Sequence, residues 1–159
     1  MSQPGFETHD HASCIRDAMQ AAEKRCAEEN LRLTPARRRV LELLLEDHRA
    51  HGAYDILARL QAEGLGAQPP IAYRALDFLV SHGFAHRVER LNAYIACTHP
   101  GGAHRPTFLI CRKCESVAEA GARPVERSLD QEAEAMGFAM EHAVVELEGL
   151  CPACTEAER

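Results

Sequence analysis

Apolar positions at helical spacing open the chain. Ile15, Met19, Ala22 and Cys26 fall on one stripe, which predicts a helix over residues 14–30. Thr34-Pro35 starts the next helix, with Thr as N-cap and Pro at the first helical position. It is predicted to reach Asp47 and to bury Val40, Leu41, Leu44 and Leu45. A short helix over residues 53–63 places Tyr54, Leu57 and Leu60 on one face and ends at Gly64 and Gly66. Pro69-Pro70 opens a further helix, through His82, that Gly83 closes. Ile71, Leu76, Leu79 and Val80 are its inward positions, and Tyr73, Arg74, Asp77 and Ser81 its outward ones. The period then falls to two. FAHRVER and AYIAC read as short strands around a Leu91-Asn92 turn. Helices followed by a β-hairpin are the order of a winged helix-turn-helix, which lays its recognition helix in the major groove.

The second half has a different pattern. Residues 98–106, THPGGAHRP, form a Gly/Pro-rich linker and the expected domain boundary. TFLIC and SVAEA are predicted strands flanking the Cys111–Cys114 turn. Pro124 opens a helix ended by Gly137, with Val125, Leu129, Ala133 and Met136 on one stripe, and HAVVELEGL is a last strand. The expected fold class is α+β. A flexible tail spans 1–13, a winged-helix domain 14–97, and a small α/β domain 107–159. A domain of three strands and one helix buries little apolar surface, so it is expected to need a metal or a partner chain.

Composition narrows the class. The 159 residues are 46% hydrophobic and 26% charged, as in ordinary soluble domains. No apolar run approaches the ~20 residues of a membrane span. MSQPGFETHDHAS lacks a basic region followed by an apolar core, so a cytoplasmic location is expected. Seven cysteines in that reducing setting point to metal or redox chemistry rather than disulfides. The net charge of −6 is uneven: residues 97–159 carry 6 basic and 11 acidic side chains, residues 32–90 carry 9 and 7. An excess this small permits a basic patch without showing one. Arg37, Arg38 and Arg39 crowd a helix N-terminus, where the dipole disfavours cations. A phosphate near Arg37 would relieve that; three solvated arginines are an equal reading.

Two ligand sets stand out. Cys111-x-x-Cys114 and Cys151-x-x-Cys154 each place two thiolates on a tight knuckle, and two knuckles close a tetrahedral structural zinc site. A thioredoxin-like motif would not need the second pair. A zinc nucleobase deaminase would need His-x-Glu, which does not occur. The other set is His86 and Cys97 on the wing strands, His104 in the linker and Glu119 beyond the knuckle. Each alone fits a surface or capping residue. Together they suit a mixed nitrogen, sulfur and oxygen site across the hinge, and a thiolate with two imidazoles favours zinc over iron or manganese. His99 and His142 are spare candidates, better read as structural. No activated nucleophile or acid/base pair suggests an enzyme.

LRLTPARRRVLELL, AYDIL, PPIAYRALDFLVSHGFAHRVE, YIAC, HRPTFLICRKCESVAE and GLCPAC, taken together, resemble the ferric uptake regulator family, above all its zinc uptake regulator branch. The resemblance covers residues 20–155. It implies a homodimeric repressor with an N-terminal winged helix and a C-terminal dimerisation domain. It implies structural zinc on Cys111, Cys114, Cys151 and Cys154, and a regulatory zinc on His86, Cys97, His104 and Glu119, two ions per chain. It implies that Tyr73 and Arg74 read operator DNA and that Tyr54 contacts a base or phosphate. Ile71-Ala72 replaces the family's usual Thr-Val before Tyr-Arg, so a hydroxyl is missing from the reading helix. THPGGAH is a reduced form of a His-rich stretch, so a third metal site is not expected. The implied function is zinc-responsive repression of zinc uptake genes. The alternatives are the same architecture sensing iron, manganese or peroxide, and a constitutive zinc-stapled DNA-binding module.

Overall fold

Asp10 sets where the first helix begins. Its carboxylate accepts the Ala12 N–H at 3.1 Å, so α1 runs His11–Glu28, starting inside the segment expected to be tail. The structure, a computed structural model, describes residue 6 and residues 10–66, 68–98, 105–121 and 123–158. Most of the expected tail and most of the 98–106 linker lie outside the described residues. Met19, Ala22 and Cys26 are buried, and Ile15 packs against the same core, as the stripe requires.

Thr34 caps α2 (Pro35–Leu45) by accepting the Arg37 N–H at 3.3 Å. Val40, Leu41, Leu43 and Leu44 are buried there, while Leu45 is only half-buried. In α3 (Ala53–Ala62) the buried face is Ile56, Leu57 and Leu60. Tyr54 is not part of it; it stands 76% exposed. In α4 (Pro69–Ser81) the interior positions are Ala72, Ala75, Leu76 and Leu79. Ile71 and Val80, expected inside, are exposed instead. Two alanines let α4 sit close on its neighbours, and the buried stripe rotates toward them. Arg39 ties α2 to the end of α3, donating to Glu63 at 2.7 and 2.8 Å and to Glu42 at 3.0 Å.

β1 (Ala85–Val88) and β2 (Ala93–Ala96) form the antiparallel wing, with His86 opposite Ile95. Asn92 takes a positive φ of 46° in the turn, a conformation asparagine adopts more readily than most residues. The second sheet has the order β4-β3-β5: β3 (Thr107–Cys111), β4 (Val117–Ala120) and β5 (Val145–Gly149). β3 and β4 are an antiparallel pair around the cysteine knuckle, and β5 returns parallel to β3. Between them α5 (Arg123–Ala135) buries none of its residues within this chain. A sixth helix, α6 (Pro152–Ala157), starts within the second knuckle and was not expected, though Pro152 occupies its first turn.

The wing and the second sheet share a core. Val88 and Ile95 of the wing pack with Phe108, Ile110 and Val117 of the sheet, flanked by Ala50 and Leu91. The segment before α3 joins both sides in hydrogen bonds. The Val117 N–H donates to the His48 carbonyl at 2.8 Å, and His51 exchanges two backbone bonds with Tyr94, each 2.8 Å. The two halves therefore meet over a buried apolar layer as well as at the predicted ligands.

Candidate functional site

The four cysteines converge from two knuckles. Cys111 ends β3, Cys114 closes its turn, Cys151 precedes α6 and Cys154 lies within it. Their sulfurs lie within 4.8 Å of one another, and none is in a disulfide. Zinc–sulfur bonds of about 2.3 Å make a tetrahedron with edges of about 3.8 Å. The Cys114 and Cys151 sulfurs are 3.7 Å apart, so the donor set fits a tetrahedral zinc ion. The first knuckle already favours thiolates. The Cys114 N–H and then the Cys151 N–H lower the Cys111 thiol to about 6. The Ser116 hydroxyl, 2.7 Å away, lowers Cys114. Cys154 is pushed up to about 12 by its hydrogen bond with Cys151 and by burial, so it carries the proton that a cation would displace.

The second cluster joins the wing to the C-terminal sheet. His86 comes from β1, Cys97 follows β2, and Glu119 lies in β4. One donor atom from each lies within 4.8 Å of the others. His86 Nε2 and Glu119 Oε1 are 3.5 Å apart, with side chains 13% and 2% exposed. Nitrogen and oxygen ligands at about 2.0–2.1 Å would stand about 3.3–3.4 Å apart around one zinc ion. A carboxylate this buried is costly unless it faces a cation, so the residues fit the metal. Thr98 orients Glu119: its N–H and its hydroxyl both donate to Oε2 at 3.2 Å, which leaves Oε1 toward His86. That is the outer-shell support that ligating carboxylates require. The expected fourth ligand, His104, lies outside the described residues, as does His99. His142 is exposed and belongs to neither cluster.

Sequence reasoning passed over Thr98 and Ser116. Both follow an expected ligand by one or two positions, which is the signal that could have found them. Of the residues that the resemblance assigns to DNA, or that the helix N-terminus suggested for a phosphate, three are exposed and one is engaged within the protein. Tyr54, Tyr73 and Arg74 are exposed on α3 and α4. Arg37 is engaged within the protein: its guanidinium lies 3.9 Å over the Phe78 ring of α4 and donates to the Arg32 carbonyl at 2.6 Å. Phe78 carried no signal for that role.

The family model described as the ferric uptake regulator family matches residues 28–148. The chain belongs to the ferric uptake regulator family. It is 43% identical to the zinc uptake regulation protein of Escherichia coli (strain K12) over 144 residues, 90% of this chain and 84% of that one. Among solved structures it is similar to a zinc uptake regulator complexed with zinc and DNA. That match has 43% identity and a TM-score of 0.86, and it covers 91% of this chain and 97% of the other. It is also similar to holo XcZur, at 40% identity, a TM-score of 0.80, and coverage of 87% and 96%. Against apo XcZur, at the same 40% identity and coverage of 89% and 97%, the TM-score is 0.51. The chain is thus more similar in arrangement to holo XcZur than to apo XcZur.

Proposed function

We propose that this chain is a zinc-responsive transcriptional repressor that binds operator DNA and controls zinc uptake genes. It works as a cytoplasmic homodimer with two zinc ions per chain. Its activity is binding, not catalysis. The observation that carries this reading is the His86–Cys97–Glu119 cluster, which spans the wing and the C-terminal sheet. Zinc would neutralise Cys97 and Glu119 there and join the two strands through shared coordination. The protein's own part is to bring the three donors together and to aim Glu119 with Thr98, with His104 proposed as the fourth ligand. Four cysteines on two knuckles would hold the structural ion.

Closure of that cluster fixes the angle of the winged helix against the C-terminal sheet. A dimer engages two half-sites only when its recognition helices match the DNA repeat. Tyr54, Tyr73 and Arg74 would face the duplex, and Arg37 would brace α4 beside it. The partner surface is the uncovered apolar face of the C-terminal half. Val125, Leu129, Met136, Phe138, Val144 and Leu147 are all exposed. That many large apolar side chains on so small a domain mark an interface. No helix of the described residues is long and apolar enough to cross a membrane.

The choice of zinc rests on the buried thiolate. Peroxide sensing by metal-catalysed oxidation calls for iron on histidine and carboxylate ligands, and Cys97 departs from that set. The test measures zinc per chain together with affinity for a DNA duplex selected in vitro, across buffered free zinc. Two zinc ions per chain and tight binding only when both are loaded support the proposal. Affinity independent of zinc beyond the first ion would replace it with a constitutive module.

A further inference from the structure

Glu146 lies on β5 with its carboxylate against the wing turn. It accepts the Glu89 N–H at 2.6 Å and the Arg90 N–H at 2.9 Å. Two consecutive backbone N–H groups converging on one anion form a nest, and the hydrogen bonds to a carboxylate there are charge-assisted. Two residues along the same face of the strand, Glu148 pairs with the Arg90 guanidinium. One strand therefore grips both the backbone and a side chain of the wing tip. None of these residues belongs to either metal cluster. Leu147, between the two glutamates, points to the opposite face and is exposed.

We propose that Glu146 is a positioning residue for operator reading. Its carboxylate holds the wing turn, and with it the recognition helix, against the C-terminal sheet by contacts that need no metal. The inference rests on the zinc-responsive dimeric reading above. In that reading β5 has one face on the wing and the other on the surface assigned to the partner. The latch contributes to the closed arrangement whether or not the hinge cluster is loaded. It thereby sets how much preference remains for zinc to supply, and so the free zinc at which DNA binding switches on. Loss of the latch lowers the closed fraction. Linkage then weakens operator binding and hinge-site zinc binding together.

The experiment compares the full-length parent and Glu146→Ala on a duplex selected from a random pool by the zinc-loaded parent. Anisotropy is read across buffered free zinc, with zinc content and sedimentation recorded alongside. Glu146→Ala is expected to stay dimeric and keep the four-cysteine zinc. Its free-zinc midpoint is expected to rise at least tenfold, a change of about 1.4 kcal/mol. Arg90→Glu and Glu148→Arg should each raise the midpoint, and the double exchange should return it toward the parent, which a general loss of packing would not do. A midpoint for Glu146→Ala equal to the parent's overturns the proposal. Should Glu146→Ala fail to fold, absence of rescue in the charge exchange overturns it instead. A parent that shows no zinc response brings down the zinc-responsive reading. The latch is then judged by affinity at one fixed zinc level, and equal affinities there overturn it too.

Discussion

His86 and Glu119 belong to opposite halves of the chain, yet their Nε2 and Oε1 atoms stand 3.5 Å apart, with the Glu119 side chain buried. The strand pairing places His86 on the wing and Glu119 on the C-terminal sheet. Cys97 joins them from the end of the second wing strand. Cys97→Ser keeps the size of the side chain and removes the soft donor. It should retain the fold, the dimer and the four-cysteine zinc, and lose about one zinc per chain. Loss of the closed-state preference should cost at least tenfold in operator affinity at a free zinc that saturates the parent, or about 1.4 kcal/mol. Zinc content and DNA titrations check both. A variant that gains affinity over the same zinc range as the parent would show that the sensor lies elsewhere.

The second prediction concerns the partner surface. Phe138 is 66% exposed and Met136 79%, at the end of a helix that buries nothing within its own chain. Covering a phenylalanine is worth about 1.5–3 kcal/mol, and a carboxylate in its place would have to be desolvated. Phe138→Glu should weaken self-association by at least tenfold while the N-terminal helices keep their thermal transition. Sedimentation over a concentration series measures it. An unchanged dimer would place the interface away from α5.

Much of this arrangement is written in local spacing, and the exceptions share a cause. The two cysteine pairs are legible because each knuckle is a four-residue motif. Thr34 and Asn92 are legible because caps and turns depend on near neighbours. Ile71 and Val80 were misplaced because helical period alone does not reveal that Ala72 and Ala75 permit the closest approach. Tyr54 matched the spacing of Leu57 and Leu60, but Ile56 takes the buried place. The shared core of Val88, Ile95, Phe108, Ile110 and Val117 leaves no trace in either half by itself. The stripe on α5 was visible, yet none of its residues is buried among the described residues. His86, Cys97 and Glu119 are harder to read as a set than the cysteine pairs, since their sequence separations are too wide for a spacing rule.

The third prediction separates reading from bracing. Arg74 is exposed on α4 beside Tyr73. Arg74→Ala should cost about 1–3 kcal/mol if the contact is to a base edge, and relax the preference at that position. Arg37 is already held by the Arg32 carbonyl and the Phe78 ring. Arg37→Ala should weaken binding by shifting α4, with the salt dependence unchanged. A fall of about 1 in the slope of log affinity against log salt would assign Arg37 to a phosphate instead. Affinity measured at several salt concentrations on the same duplex distinguishes them.

The four-cysteine site should decide whether the C-terminal half folds at all. Its sheet has three strands, and α5 adds no buried residue of its own. Structural zinc in small peptides contributes about 10–16 kcal/mol at neutral pH. That matches or exceeds the roughly 5–15 kcal/mol that holds a typical domain together. Cys114→Ser removes one sulfur and leaves a cage that no longer closes a tetrahedron. The variant should lose the zinc, the C-terminal thermal transition and self-association, while the helical core around Leu60, Leu76 and Leu79 still melts cooperatively. Chelation of the parent should give the same pattern. It should do so more readily as pH falls, because protons compete for thiolates that the metal requires. A Cys114→Ser protein that stays folded and dimeric without that zinc would show that packing against the wing, through Phe108 and Val88, is enough to hold the sheet.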